Sequence, residues 1–250
     1  MKNILLTLSY DGKNYHGWQV QENAVTVQEE FQKTLKKVLN EEPNIKGCSR
    51  TDSKVHANMY CVSMKTESNI PLNKLPVVLN KYLPNDIAVK RAVEVSPDFH
   101  ARYSCIGKEY IYKIWNDNIR NPFLDGYAFH YWYPLDIDLL NEAASYFIGT
   151  YDFTSFCTLD KRRSGNMVRT IKNFKVVREN ELVTLIVQAD GFLYNMVRIM
   201  VGTLLQVACK RIRPEDVKSI LLAKDRSKAG PTAVPYGLYL NRVFYKGEKL

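Results

Sequence analysis

The clearest constraint on this chain is a run of apolar residues near its C-terminal end. Leu193, Met196, Val197, Met200, Val201, Leu204, Leu205 and Ala208 recur at i, i+3, i+4 and i+7, the spacing of one helix face. Two segments just before it, near 170–178 and 182–190, read instead as strands. A short helix follows Pro214, and Leu238 to Tyr245 reads as a closing strand. Upstream, Lys108 to Trp115 alternates so that Tyr110, Tyr112 and Ile114 share a face, and Asp136 or Asp138 caps a helix bearing Leu139, Leu140, Ala143, Ala144, Phe147 and Ile148. Strands and helices thus mix without strict β-α alternation, which favours an α+β fold with antiparallel sheet over a doubly wound one.

The first hundred residues follow the same logic without visible repetition of sequence. Lys2 to Tyr10 puts Ile4, Leu6 and Leu8 on one face of a strand. Thr26-Val-Gln-Glu29 is a capping box, and Val27, Phe31, Leu35, Val38 and Leu39 continue at helical spacing. Residues 44–48 read as a short strand, 49–55 as a polar loop and 59–64 as another strand. Pro71 opens a second helix with Leu72, Leu75, Val78, Leu79 and Tyr82, and Ile87 to Val95 returns as a strand. The expected division is 1–104 and 105–250, two α+β halves sharing one sheet.

With 35 Lys+Arg against 26 Asp+Glu the formal net charge is +9. The cations are grouped, as Lys36-Lys37, Lys90-Arg91, Lys161-Arg162-Arg163, Lys210-Arg211 with Arg213, and Arg226 with Lys228, among sixteen tyrosines and ten phenylalanines. Basic patches with aromatics are the footprint of nucleic-acid binding. Cys48, Cys61, Cys105, Cys157 and Cys209 are odd in number and scattered, which argues for free thiols. The four histidines are isolated, so no metal site is expected. No stretch approaches the roughly 20 apolar residues of a membrane span, and the first residues do not read as a signal peptide. A cytoplasmic protein without membrane attachment is the expectation.

G-x-G-x-x-G, G-x-x-x-x-G-K-[ST] and G-x-S-x-G are all absent, which argues against dinucleotide, P-loop and serine-esterase chemistry. What stands out is Arg50-Thr51-Asp52-Ser53-Lys54-Val55-His56-Ala57. Taken alone, Asp52 reads as a turn residue. In context, the segment resembles the R-T-D-x-x-V-H-A core of the tRNA pseudouridine synthase A family. Tyr10-Asp-Gly…His16-Gly-Trp18-Gln-x-Gln21, Thr26-Val-Gln28, Leu83-Pro-x-Asp86-Ile87, Phe99-His-Ala-Arg102 and Lys108-Glu-Tyr110-Ile-Tyr112 are similar to further blocks of that family. So are Asp152-Phe-Thr-Ser-Phe156, Arg169-Thr-Ile171, Met196-Val-Arg198 with Gly202-Thr-Leu204, and Gly237-Leu-Tyr-Leu240. The blocks keep the family's order across almost the whole chain.

The resemblance implies the pseudouridine synthase fold: two α+β subdomains sharing a mixed, mostly antiparallel sheet with a basic central cleft. It implies an isomerase that converts uridine to pseudouridine in the anticodon arm of tRNA, at positions 38 to 40, as a homodimer. Detaching uracil from C1′, turning it and rejoining it through C5 consumes no electron, water or phosphate, so no cofactor is expected. By the same resemblance Asp52 is the nucleophilic carboxylate, Arg198 its basic partner, and Tyr110 the ring that packs on the target base. Arg198 flanks the apolar stripe of its helix, which agrees with a role in a pocket. Arg50 is a candidate for occupying the space left by a flipped base. His56 is read as a stacked or hydrogen-bonding loop residue without a catalytic role.

One stretch departs from the family. Its usual Gly-Arg-Thr-Asp-Ala-Gly is here Ser49-Arg-Thr-Asp52-Ser53-Lys54. If the family's glycines adopt positive φ, a side chain there strains or reshapes the loop. The departures motivate the alternative of a same-fold synthase with a different RNA target. A non-catalytic RNA-binding protein would also suit the charge, but gives no reason for Arg50, Asp52, Tyr110 and Arg198 to coexist.

Overall fold

The computed structural model describes residues 1–158 and 165–247. The Lys161-Arg162-Arg163 cluster lies outside the described residues. The chain divides into two compact units, Met1–Ile106 together with the segment from Tyr239 onward, and Gly107–Leu238. Both mix helices with mostly antiparallel strands, and the fold is α+β.

In the first unit, β1 (Lys2–Tyr10) runs antiparallel to β3 (His56–Thr66) on one side and to β4 (Ile87–Glu94) on the other. The two-residue β2 (Lys46–Gly47) pairs with β3, and the chain's last strand, β10 (Leu238–Tyr245), pairs parallel to β3 through Tyr239↔His56 and Leu240↔Ala57. Ile4, Leu6 and Leu8 face Met64, Val62 and Tyr60 across the ladder, all of them buried. α1 (Val27–Leu39) starts where the capping box places it, with the Thr26 hydroxyl accepting the Glu29 N–H. It buries Val27, Phe31, Leu35 and Leu39, each of the larger side chains contributing about 1.5–3 kcal/mol.

The second helix is shorter than its periodicity suggests. α2 runs only Leu75–Asn80, because Pro76 lacks an N–H and fits only the first turn. Residues 72–74 form a turn whose Lys74 N–H, like that of Leu75, is accepted by the Pro71 carbonyl.

In the second unit, β5 (Cys105–Trp115) pairs antiparallel with β9 (Leu182–Ala189), β9 with β8 (Val168–Glu179), and β8 with β7 (Gly149–Asp152). The two-residue β6 (Phe129–His130) adds a parallel pair to β5. Asp136 caps α3 (Ile137–Ser145), its carboxylate accepting the Leu139 N–H. That helix ends before Phe147, which is nonetheless fully buried. α4 (Met196–Ala208) begins three residues later than the apolar spacing, since Asn195 takes a left-handed conformation (φ 61) and breaks the turn. α5 (Asp216–Ala223) follows Pro214. All five cysteines are free thiols.

Candidate functional site

The Asp52 loop, residues 49–55 between β2 and β3, is held by the segment 10–18. Trp18 N–H donates to the Thr51 carbonyl (3.2 Å), and Lys54 N–H to that of Tyr15 (3.0 Å). The Ser53 hydroxyl also reaches the Tyr15 carbonyl (3.3 Å), and the hydroxyls of Tyr10 and Thr51 bond at 2.8 Å. Within the loop Val55 N–H closes onto the Asp52 carbonyl (3.2 Å), and Tyr60 Oη–H donates to the carbonyl of Ser49.

Two glycines make this approach possible. A Cβ on Gly12 would stand 2.1 Å from the Val55 carbonyl oxygen, and one on Gly17 (φ +91) 2.4 Å from that of Thr51. Side chains are excluded at both points. Behind them Trp18 stacks on Tyr60, centroids 4.1 Å apart. Asp86 fixes the segment from its far side, accepting the Tyr15 hydroxyl at 2.5 Å and, through its own carbonyl, the Asp11 N–H at 2.9 Å. Burial and the neighbouring Asp86 push the Tyr15 phenol well above its ordinary range. The blocks Y-D-G…G-W, L-P-x-D-I and R-T-D are therefore parts of one mount. Their separate roles were not read from the sequence, although the glycines flanking the loop were the available signal.

Within this mount the Asp52 side chain is partly exposed and Arg50 is exposed. Lys54 has φ +64, so the expected strain is present at that position and absent at Ser49. A left-handed L-residue costs on the order of 1 kcal/mol. His56 is not in the loop: it is the first residue of β3, nearly inaccessible at 2 % exposure.

Tyr110 and Arg198 belong to the second unit. Tyr110 lies on β5 opposite Val187, buried, with Phe192 edge-on at 5.0 Å. Arg198 is in the first turn of α4. Its Nε donates to the Ala233 carbonyl (2.7 Å), its Nη1 to Asn195 Oδ1 (2.9 Å), and its own carbonyl accepts the Ala233 N–H (3.0 Å). A cation near a helix N-terminus opposes the macrodipole by about 0.3–1 kcal/mol, so the fold accepts a cost to keep it there. The same placement creates a concentrated positive field suited to an anion.

The Gly202-Thr203 pair explains how Ala233 reaches Arg198. A Cβ on Gly202 would fall 1.7 Å from the Pro231 carbonyl oxygen, so the 230–233 segment packs directly on the helix backbone. The Thr203 hydroxyl donates to Ile199 O (2.8 Å) and accepts the Gly230 N–H (2.9 Å). This support was not anticipated from the sequence.

A family model described as tRNA pseudouridine synthase matches residues 7–104 and 143–246. Over 245 residues the chain is 46% identical to the tRNA pseudouridine synthase A of Thermoanaerobacter sp. (strain X514), covering 98% of this chain and 100% of that one. The same identity and coverage hold for the tRNA pseudouridine synthase A of Clostridium acetobutylicum. A tRNA pseudouridine synthase A 2 from Clostridium tetani is 44% identical over 249 residues, covering 98% of this chain and 99% of its own.

Proposed function

The chain belongs to the tRNA pseudouridine synthase family, and from that premise we propose that Asp52 is the carboxylate that attacks the target nucleotide. The protein is an isomerase that converts uridine to pseudouridine in tRNA. Its substrate and product have the same atoms: the N1–C1′ bond breaks, the uracil turns, and a C5–C1′ bond forms as C5 loses a proton and the freed N1 takes one up.

The observation that carries the assignment is the mounting of the Asp52 loop. Main-chain bonds from Trp18 and Lys54, the closed Asp52–Val55 turn and two glycine contacts fix the backbone on both sides of the carboxylate. A nucleophile positioned before the substrate arrives avoids reorganisation during reaction. On this reading Arg198 supplies the positive charge that keeps the Asp52 carboxylate ionised, Tyr110 packs on the uracil, and Arg50 occupies the space left by the flipped nucleotide. The target is a uridine of the anticodon arm, at positions 38 to 40, and the enzyme works as a cytoplasmic homodimer.

Tritium release from tRNA carrying 5-tritiated uridine tests the assignment, because only isomerisation through C5 liberates the label. Asp52→Asn preserves size and removes the charge. It should abolish release while melting temperature and tRNA affinity stay near those of the parent. Substantial release by a folded Asp52→Asn protein would overturn the role of Asp52.

A further inference from the structure

Among the described residues three lysines adopt positive φ: Lys54, Lys210 and Lys224. Lys210 and Lys224 do so just beyond α4 and α5, where a left-handed residue routinely closes a helix. Lys224 also pairs with Asp152 at 3.0 Å. Lys54 does neither. It occupies the tight turn closed by the Val55-to-Asp52 bond, with its N–H held by the Tyr15 carbonyl. Its side chain is exposed, and among the described residues its ammonium makes no ion pair or hydrogen bond.

The acids around the turn are already engaged. Asp86 accepts the Tyr15 hydroxyl and the Asn14 amide, and Asp11 accepts the Lys13 N–H and lies 3.0 Å from His56 Nδ1. Strain of this kind persists where the surrounding structure over-determines it, and it clusters at functional positions. Here the strain leaves a lysine projecting into solvent, two residues from Asp52, in a loop whose substrate is a polyanion.

We infer that Lys54 is a substrate-binding residue of this chain, contacting a backbone phosphate next to the nucleotide that Asp52 attacks. The inference rests on the assignment of the Asp52 loop as the site of chemistry. A nucleotide in an RNA chain has a phosphate on each side, so a carboxylate at the ribose or base and an ammonium at the adjoining phosphate address one nucleotide from one turn. A lysine acts there as a point charge, which positions the RNA without reading its sequence. This contact assists docking of the target uridine and leaves the bond rearrangement to Asp52.

Lys54→Gly separates this role from a structural one, because the two predict opposite results. Glycine relieves the left-handed strain, so the variant should melt at or above the parent temperature. If Lys54 were only a turn residue, activity would be unchanged or improved. If it holds a phosphate, KM for tRNA should rise about fivefold with little change in kcat, as expected for one exposed charge-assisted contact. The slope of log affinity against log salt should also become shallower by about 0.7–0.9, one phosphate contact. Lys54→Arg should restore both quantities towards the parent.

Parental KM and salt slope in Lys54→Gly would overturn the inference. Asp52→Asn, run beside it, keeps the two readings apart. Tritium release by a folded Asp52→Asn protein defeats the site assignment, whereas an inactive Asp52→Asn with an unaffected Lys54→Gly defeats only the phosphate contact.

Discussion

The imidazole of His56 lies against the ring of Tyr239, with centroids 4.5 Å apart and planes 21° apart. These residues are register partners in the parallel pairing of β3 with β10, so the stack fastens the chain's last strand beside the start of β3. On its edge His56 Nδ1 accepts the Gly12 N–H at 3.0 Å and lies 3.0 Å from Asp11 Oδ1.

His56→Ala should therefore lower stability by about 2–3 kcal/mol, combining loss of an aromatic contact with an unsatisfied Gly12 N–H. Urea denaturation checks this value. A double-mutant cycle with Tyr239→Leu should return a coupling of about 0.5–1.5 kcal/mol. Coupling near zero would show that the stack is incidental.

Gly17→Ala should damage the site without touching a charged group. Its Cβ would fall 2.4 Å from the Thr51 carbonyl oxygen, at a φ that alanine disfavours. The expected loss is about 3 kcal/mol, with reduced turnover in whatever protein remains folded. Equal melting temperatures for variant and parent would refute the close contact.

Arg198→Lys keeps the charge but loses the fork that holds Ala233 and Asn195 together. Tritium release should fall at least about tenfold, since a lysine cannot reproduce two directed bonds. Gly202→Ala should give a related defect with no change of charge, because it pushes the Pro231–Ala233 segment away from the helix. Full activity in Arg198→Lys would mean that charge alone matters.

Asp152 makes stability depend on acid pH. Burial works against its charge, but the Thr154 hydroxyl, the Lys224 ammonium and the Thr154 N–H outweigh it and hold the carboxyl below its ordinary range. A depressed folded-state pKa stabilises above the unfolded value near 3.9, and that contribution disappears as pH falls through the folded value. Asp152→Asn should be less stable than the parent at pH 7, with the difference closing below about pH 4. Urea midpoints at both pH values measure it, and a gap that persists in acid would assign the effect to shape instead.

Much of the architecture was legible because it is local. The alternation of Lys2–Tyr10, the Thr26 cap and the Asp136 cap each involve residues within one strand or one helical turn. Neighbours in sequence decide such features before any distant part of the chain arrives. The α2 boundary was misread for an equally local reason, since the apolar spacing from Pro71 to Tyr82 concealed the restriction at Pro76. Asp52 could be chosen from sequence only because the surrounding blocks resemble a known family; an aspartate in a polar loop has no signature of its own.

By itself, the sequence determined the periodicities, the caps, the excess of positive charge and the ordered blocks around Asp52, Tyr110 and Arg198. Tertiary structure alone decided that Tyr10–Trp18 would cradle the loop at 49–55, that Ala233 would grip Arg198, and that Lys54 would be held at positive φ. It also decided that β10 would return to β3. These arrangements join segments far apart in the chain, through main-chain bonds that any residue type can make and gaps that only glycine leaves open. Their energy exists only after packing has brought the segments together, so no local pattern of side chains records them.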